Sequence, residues 1–145
     1  MKIAFENKLK LTVFALTTIL LFLILTACSN IRADNSSSNP PSWQTITAQE
    51  AYVIMNESDN FILLDVRTES EFREARINGA ILIPDYEIKD RAKTELPDKN
   101  VIILVYCRSG RRSASAAAEL ARLGYTNVFD FGGIINWPYG TVSNN

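Results

Sequence analysis

Short apolar runs alternate with helical patterns along the chain from residue 43 onward. Four strands are predicted: continuous apolar runs, which are typical of buried parallel strands, occupy residues 61–64, 81–83 and 101–106, and the mixed segment 127–131 gives one more strand. Helices are predicted, from capping signals and from helical or Ala-rich patterns, over residues 48–56, 68–74, 86–96 and 113–123. This alternation predicts an α/β fold, with a mostly parallel central sheet and helices on both faces. The run at 101–106 is the most apolar of the four and should form the central strand.

Local end signals support three of these helices. Thr47 and Thr68 are each followed three residues later by a glutamate, Glu50 and Glu71, which is the capping-box pattern of a helix start. Gly124 follows the Ala-rich segment at the position where a helix ends. The sequence therefore indicates where two of the helices begin and where the Ala-rich helix ends.

The first 27 residues have the layout of a secretory signal. A short basic region precedes an apolar run from Leu11 to Leu25 and a small-residue end. The boundary segment Leu25-Thr26-Ala27-Cys28 resembles the lipobox of bacterial lipoproteins, which implies that Cys28 is lipidated and becomes the mature N-terminus. We expect an exported protein, lipid-anchored to the bacterial cell membrane or outer membrane on its periplasmic or extracellular face. An ordinary signal peptide or an uncleaved membrane helix is the alternative.

A polar segment separates this signal from the globular part. Residues 29–42 are rich in Ser, Asn and Pro and nearly free of large apolar side chains. Such a composition cannot bury enough apolar surface to order itself. The expected organisation is a signal peptide at residues 1–27, a lipidated cysteine with a flexible linker at 28–42, and one globular domain at 43–145.

The composition removes several kinds of chemistry. The chain has no histidine, which excludes imidazole catalysis and His-ligated zinc. The only cysteines, Cys28 and Cys107, are too few for a disulfide framework or a thiolate metal cage, so no metal and no cofactor are expected. Lys and Arg number 15 against 16 for Asp and Glu, so no overall positive field is available to hold nucleic acid, and no nucleic-acid partner is expected.

Cys107 is the candidate nucleophile. It stands directly after the predicted central strand, and the loop that follows holds, in order, Arg108, Ser109, Gly110, Arg111 and Arg112. Ligands bind open α/β sheets at this carboxyl edge. Backbone N–H groups of a tight loop, the helix N-terminus and the arginine charges all favour the thiolate, which is the nucleophilic form. The alternative is a small buried cysteine beside solvated arginines.

Four segments, in the correct order, resemble the rhodanese-like domain of sulfurtransferases. They are Leu64-Asp65-Val66-Arg67 with Glu71-Phe72, Ile77-Asn78-Gly79-Ala80, Cys107 to Ser113, and Gly132-Gly133 with Trp137. In that order they are similar to the family's DVR…EF signature, its GHIxGA segment, its active loop and its C-terminal signature. One departure is that Ala75-Arg76 stands where the family has Gly-His. The resemblance covers most of the chain from Trp43 onward and implies a single rhodanese-like domain.

The resemblance implies sulfur transfer through a persulfide on Cys107. The thiolate would take a sulfane sulfur from a small anionic donor such as thiosulfate and pass it to a thiol or a cyanide-like acceptor, a course that needs no imidazole. Backbone N–H groups of the active loop would hold the outer sulfur. The anionic donor would be attracted by Arg108, Arg111 and Arg112.

Three further residues receive roles around this loop. Asp65 and Arg67, at the carboxyl end of a neighbouring strand, are assigned to supporting the loop, although a simple surface ion pair is the alternative. Ser113, the last loop residue, is assigned to capping the following helix rather than to reacting. The protein is expected to act as a monomer on small substrates.

Other classes stay open at this point. Cys-dependent phosphatases and arsenate reductases resemble this site but place an arginine six residues after the cysteine, where this chain has Ser113, and Arg112 comes one position early. A noncatalytic rhodanese-like binding module is a second alternative, which the retained Cys107 argues against. A thiol–disulfide role would need a resolving cysteine, which the chain after Cys28 does not provide.

Overall fold

Five parallel strands form the sheet among the described residues, and the sequence predicts four of them. The computed structural model describes residues 42–143 and orders the strands as β1-β5-β4-β2-β3, with parallel pairing between all neighbours. The strands are β1 Gln44–Thr45, β2 Phe61–Asp65, β3 Ile81–Leu82, β4 Ile102–Cys107 and β5 Val128–Gly133. β4 lies at the centre, so the prediction from its apolar run is confirmed.

Within residues 42–143, four α-helices connect the strands. They are α1 Ala48–Glu57, α2 Glu69–Glu74, α3 Ile88–Glu95 and α4 Arg111–Arg122, with short 3-10 turns at Asp85–Glu87 and Ile134–Asn136. Both predicted capping boxes are present, because Thr47 and Thr68 each bond the backbone and the carboxylate of the glutamate three residues on. These caps fix where α1 and α2 begin.

Side chains alternate across β4 into two apolar cores. Ile103, Val105 and Cys107 face the core that α3 and α4 cover, whereas Leu104 and Tyr106 face the core that α1 covers. Period-two alternation of this kind is what a strand buried on both faces requires. The predicted α/β fold with helices on both faces is therefore confirmed.

Several element boundaries differ from the prediction. The expected helix over 86–96 begins as a 3-10 turn after Pro84 and becomes α-helical only at Ile88. The expected strand over 127–131 continues to Gly133, because β4 offers partners up to its last residue. β1 was not predicted, since Gln44–Thr45 is polar and owes its extended form to pairing with β5.

The predicted signal peptide, the lipidated Cys28 and nearly all of the linker lie outside the described residues. Within residues 42–143, no helix combines the length and the apolar character needed to cross a membrane.

Candidate active site

Cys107 is the last residue of β4 and is buried at the carboxyl edge of the sheet. Its side chain is 1% exposed, and its Sγ accepts a hydrogen bond from the Gly110 backbone N–H at 3.1 Å. The chain reverses over the sulfur because Gly110 adopts φ +104°, a left-handed conformation that glycine takes without a Cβ clash. The expected strand, thiol, loop and helix arrangement is therefore present around this residue.

The surroundings of Cys107 favour its thiolate. Burial acts to raise the pKa of the thiol, but hydrogen bonds from the Ser113 hydroxyl and from the backbone N–H groups of Ser113, Gly110 and Ser109 outweigh it. The net effect is a pKa below the ordinary value of the group. Donors aimed at one sulfur in a partly buried site stabilise negative charge there.

Ser113 does not cap the helix, so that assignment was wrong. Gly110 is the N-cap of α4, and Ser113 lies inside the first turn, fully buried. Its hydroxyl bonds the carbonyl oxygens of Gly110 at 3.0 Å and Gly132 at 3.2 Å. Since one hydroxyl proton serves one acceptor at a time, a charged sulfur on Cys107 competes for it with these neutral carbonyls.

A bulge at the end of β5 supports the loop from behind. The β4–β5 register runs from Val105 opposite Asp130 to Cys107 opposite Gly133, so β5 carries one extra residue there. A Cβ on Gly133 would lie 2.6 Å from Ser109 Cα and closer still to the Arg108 carbonyl oxygen. Only glycine fits this contact.

Gly133 is therefore a site residue to which sequence reasoning assigned no role. The Gly132-Gly133 pair was noticed only as part of a signature, and nothing local revealed which backbone it would touch. The Ile135 backbone N–H adds a 3.3 Å bond to the Arg108 carbonyl from the same side.

Arg112 is directed at Glu71. Its two terminal nitrogens donate to the two carboxylate oxygens of Glu71 at 2.8 Å each, joining α4 to α2 across 41 residues of sequence. The hydrogen bond from Arg112, with the bonds from Thr68, lowers the pKa of Glu71 to about 2 against the opposing effect of burial. The charge of Arg112 is thus neutralised within the fold, and Arg108 and Arg111 are the exposed loop arginines.

Asp65 and Arg67 form a buried ion pair beside the loop. Their side chains are 0% and 5% exposed, and the guanidinium donates from Nε and Nη2 to the carboxylate at 2.6–3.0 Å. Arg67 Nη2 also donates to the Ala75 carbonyl at 2.6 Å, which ties the end of β2 to the segment after α2. The pair is therefore not a surface ion pair, and the support that it gives runs through Ala75.

Arg76, which stands where the family has histidine, is held by the C-terminal segment. Its backbone N–H and carbonyl pair with those of Val142 at 2.8 Å, and its guanidinium lies 5.0 Å from the centre of the Phe72 ring. The next backbone N–H, that of Ile77, donates to the Tyr106 hydroxyl at 3.2 Å. Hydrogen bonds thus hold the backbone of this segment at Arg76 and at Ile77.

A cavity of about 380 Å³ opens between the loop and α2. Its lining residues are Arg67, Glu71, Glu74, Ala75, Arg108, Ile134 and Ile135. A second, apolar groove of about 420 Å³ runs along α1 and contains no nucleophile. Within residues 42–143, no three His, Cys, Asp or Glu side chains are grouped so as to hold a metal ion. Because Arg108 of the Cys107 loop lines the 380 Å³ cavity, this cavity is the candidate approach to the loop; Cys107 itself is not among its lining residues.

Comparison with known proteins gives relatives over this same region. The rhodanese-like domain family matches residues 47–138. The chain is 42% identical over 71 residues to the thiosulfate sulfurtransferase PspE of Escherichia coli (strain K12), covering 49% of this chain and 68% of that protein. It is 38% identical over 82 residues to a sulfurtransferase of Allochromatium vinosum, covering 56% and 75%. A solved rhodanese with anions from E. coli aligns with TM-score 0.54 and 37% identity, covering 57% of this chain and 98% of that one.

Proposed function

The chain belongs to the rhodanese-like domain family, and from this premise we propose that it moves sulfane sulfur from a donor such as thiosulfate to a thiophilic acceptor through a persulfide on Cys107. Rhodanese-type sulfur transfer is supported by the sulfurtransferase names of the two relatives. The observation that most directly supports this proposal is the hydrogen bond from the Gly110 backbone N–H to Cys107 Sγ at 3.1 Å. It belongs to the group of donors that lowers the pKa of this thiol.

The first half-reaction loads the enzyme. The Cys107 thiolate attacks the outer sulfur of thiosulfate, a sulfur–sulfur bond forms to Sγ, and the bond to the sulfite sulfur breaks as sulfite leaves with its electron pair. The exposed Arg108 and Arg111 attract the dianionic donor toward the loop. Backbone donors that already face the sulfur need no rearrangement as its charge moves outward.

The second half-reaction returns the thiolate. A nucleophile such as cyanide or a thiolate attacks the outer sulfur of the persulfide, and the Cys107–sulfur bond breaks with its electron pair going to Sγ. Because the loop donors stabilise that leaving thiolate, they lower the barrier of this step as well. No proton has to reach the leaving group, which agrees with a chain that has no histidine.

The phosphatase alternative is disfavoured by the position of the arginines. A tetrahedral oxyanion needs a guanidinium aimed at its oxygens, whereas Arg112 gives two of its N–H groups to Glu71. We expect efficient turnover of thiosulfate and little hydrolysis of aryl phosphates by the same preparation. The ratio of the two activities separates the classes, since the oxygens of a phosphate would be left unpaired in a loop sized for one sulfur.

Intact-mass measurement tests the central step. Incubation with thiosulfate should add the mass of one sulfur atom to the protein, and dithiothreitol should remove it. Peptide mapping should place the added sulfur on Cys107. A protein that stays unmodified at high thiosulfate while it hydrolyses aryl phosphates would contradict the proposal and favour the phosphatase class.

We further propose that the protein is exported and lipid-anchored through Cys28, and that its domain acts as a monomer. The lipobox-like Leu25-Thr26-Ala27-Cys28 and the polar tether after it support the anchor. In a bacterial host, labelled fatty acid should enter the wild type and not Cys28→Ala. If the wild type takes up no label, an ordinary signal or a membrane helix replaces the anchor. Light scattering of the domain from Trp43 onward tests the monomer.

A further inference from the structure

Asp130 is a buried acidic residue of β5 that has no role in the sulfur chemistry itself. Its side chain is 4% exposed, and its pairing with Val105 places it on the face of the sheet that α3 and α4 cover, which is also the face of Cys107. Among residues 42–143, no ion pair is found for Asp130. A carboxylate buried without a cation costs folding free energy, so stability alone does not account for an aspartate at this position.

The Asp130 carboxylate holds the start of the bulge in β5. Its Oδ1 accepts a hydrogen bond from the Gly132 backbone N–H at 2.9 Å. Gly132 has φ +87°, so the chain turns between Asp130 and Gly133 in a conformation that suits glycine. Aspartate side chains stabilise turns of this kind by accepting from the backbone two residues on. The carboxylate therefore fixes the orientation of the peptide group between Phe131 and Gly132.

The two glycines of the bulge lie against the residues that hold the active-site sulfur. A Cβ on Gly110 would lie 3.5 Å from Gly132 Cα, and the Gly132 carbonyl accepts a bond from the Ser113 hydroxyl at 3.2 Å. Gly133 packs so closely on Ser109 that no Cβ fits between them. The donors that lower the pKa of the thiol belong to these same three loop and helix residues. A group that holds the bulge therefore also holds the donors.

We propose that Asp130 is a positioning residue for sulfur transfer: by holding the Gly132 N–H it keeps the bulge in contact with the active loop, so that the loop donors stay aimed at Cys107 Sγ. This inference rests on the proposed sulfur transfer and adds to it a residue that acts through the backbone. No bond forms or breaks at Asp130. Its effect is on how closely the loop keeps its geometry while sulfur is gained and lost.

Two substitutions separate the hydrogen bond of Asp130 from its charge. Asp130→Asn keeps an oxygen acceptor for the Gly132 N–H, whereas Asp130→Ala removes it. Persulfide formation from thiosulfate, followed by intact mass in single turnover, should slow by about ten- to a hundredfold in Asp130→Ala, because the loop loses its alignment. Asp130→Asn should stay within about threefold of the wild type, because a neutral acceptor makes a weaker bond in the same place.

Alkylation of Cys107 by iodoacetamide gives a readout that a merely structural role would not move. Its rate reports the thiolate and does not require sulfur transfer. In folded Asp130→Ala, the pH of half-maximal alkylation should lie about one pH unit above that of the wild type, because the donors that lower the pKa of the thiol are no longer aimed at it. Circular dichroism and urea denaturation show whether the variant is folded under the assay conditions.

Asp98→Ala is the matched control. Asp98 also accepts from the backbone N–H two residues on, that of Asn100, at 2.8 Å. It is exposed and precedes β4, so it lies at the opposite end of that strand from Cys107. Loss of this bond should change neither the rate of persulfide formation nor the pH of half-maximal alkylation.

The outcomes separate this inference from the proposed function. If folded Asp130→Ala keeps the wild-type alkylation profile, or if Asp130→Asn is as impaired as Asp130→Ala, the positioning role is overturned while sulfur transfer stands. If the wild type forms no persulfide, sulfur transfer fails, and the alkylation profile still decides whether Asp130 holds the loop. Should Asp130→Ala not fold, Asp130→Val, with a side chain suited to strands, takes its place. If neither folds, Asp130 acts on stability and the positioning role is rejected.

Discussion

The carboxyl ends of β2 and β4 lie side by side in the sheet and handle charge in opposite ways. At the end of β2, the carboxylate of Asp65 and the guanidinium of Arg67 satisfy each other in the protein interior. At the end of β4, backbone and hydroxyl donors converge on the sulfur of Cys107 without a buried counter-charge. The two charges at the end of β2 neutralise each other without a ligand. The donors at the end of β4 have a charged acceptor only when the sulfur of Cys107 is negative.

This difference separates stability from activity. Breaking a buried ion pair leaves an uncompensated charge, so residues at the β2 end should act mainly on the free energy of unfolding. Removing a thiol from a loop that is already hydrogen-bonded to its own backbone removes the reacting atom and little else. The two strand ends are one chain position apart in register, since Asp65 pairs with Tyr106. Proximity to the sulfur therefore does not by itself decide which property a residue controls.

The largest expected effect is that of Cys107→Ala on activity. Sulfur transfer from thiosulfate to cyanide should fall by at least about a thousandfold, because the persulfide has no atom to form on. The far-ultraviolet circular dichroism spectrum should stay that of the wild type, and the free energy of unfolding should change by only about 1 kcal/mol. Full activity in this variant would show that Cys107 is not the nucleophile. It would also contradict the view that the end of β4 controls activity while the end of β2 controls stability.

Asp65→Asn should produce the reverse pattern. Leaving the guanidinium of Arg67 buried without its partner should lower the free energy of unfolding by about 3–5 kcal/mol, measured by urea denaturation. The double variant Asp65→Leu with Arg67→Met is the control, because replacing both charges removes the uncompensated group and should recover part of that loss. If Asp65→Asn is as stable as the wild type, the buried charge of Arg67 does not depend on Asp65 for its neutralisation.

Gly133→Ala tests the support behind the loop. The added Cβ would meet the backbone of Arg108 and Ser109, so the loop must move, and a displacement near 1 Å is expected to lower activity by about a hundredfold. Gly124→Ala is the matched control, because Gly124 has φ +90° but no atom within 4 Å of an added Cβ. That control should cost about 1 kcal/mol of stability while activity per folded molecule is kept. Equal activity in the two variants would refute the support role of Gly133.

The smallest expected effect is that of Glu71→Gln, which weakens the bond to Arg112. The pKa of Glu71 is lowered to about 2 in the fold, so its contribution to stability is present above pH 4.5, the usual value, and is lost as the pH falls through about 2. The wild type should exceed the variant by up to about 1 kcal/mol near neutral pH, since the pair is partly exposed. Urea denaturation from pH 2 to 6 checks that the difference shrinks toward acid. A difference that grows toward acid would contradict the assignment.

Much of the fold follows from local sequence signals, and the parts of the site that do not are long-range contacts. The capping boxes at Thr47 and Thr68 and the central apolar strand depend on residues a few positions apart, so the sequence predicts them. Glu71 was predicted as the glutamate of a capping box and as part of the family signature, but its bond to Arg112 was not, because Arg112 lies 41 residues away. Ser113 was misassigned as a cap because a serine before an Ala-rich run usually has that role. The true cap is Gly110, whose left-handed backbone starts α4 two residues earlier than expected.

Cys107 itself could be found from sequence, because a thiol after an apolar strand and before a helix is a local pattern. Its surroundings could not be completed that way. The bulge in β5 places Gly133 against Arg108 and Ser109, and only the register between two strands determines that contact. The sequence likewise gives no sign that Arg67 reaches the Ala75 carbonyl, since eight residues and a helix separate them.

The contact between β5 and the loop also bears on the order in which the chain becomes reactive during synthesis. Cys107 leaves the ribosome before Val128–Gly133, yet the bond from the Ile135 backbone to the Arg108 carbonyl and the contact of Gly133 with the loop form only with that later segment. A nascent chain that ends before β5 should therefore carry an ordinary, weakly nucleophilic thiol. Slower alkylation of Cys107 in a chain truncated after Asn127 than in the complete chain would demonstrate this delay. The thiol would then become strongly nucleophilic only after β5 has joined the sheet.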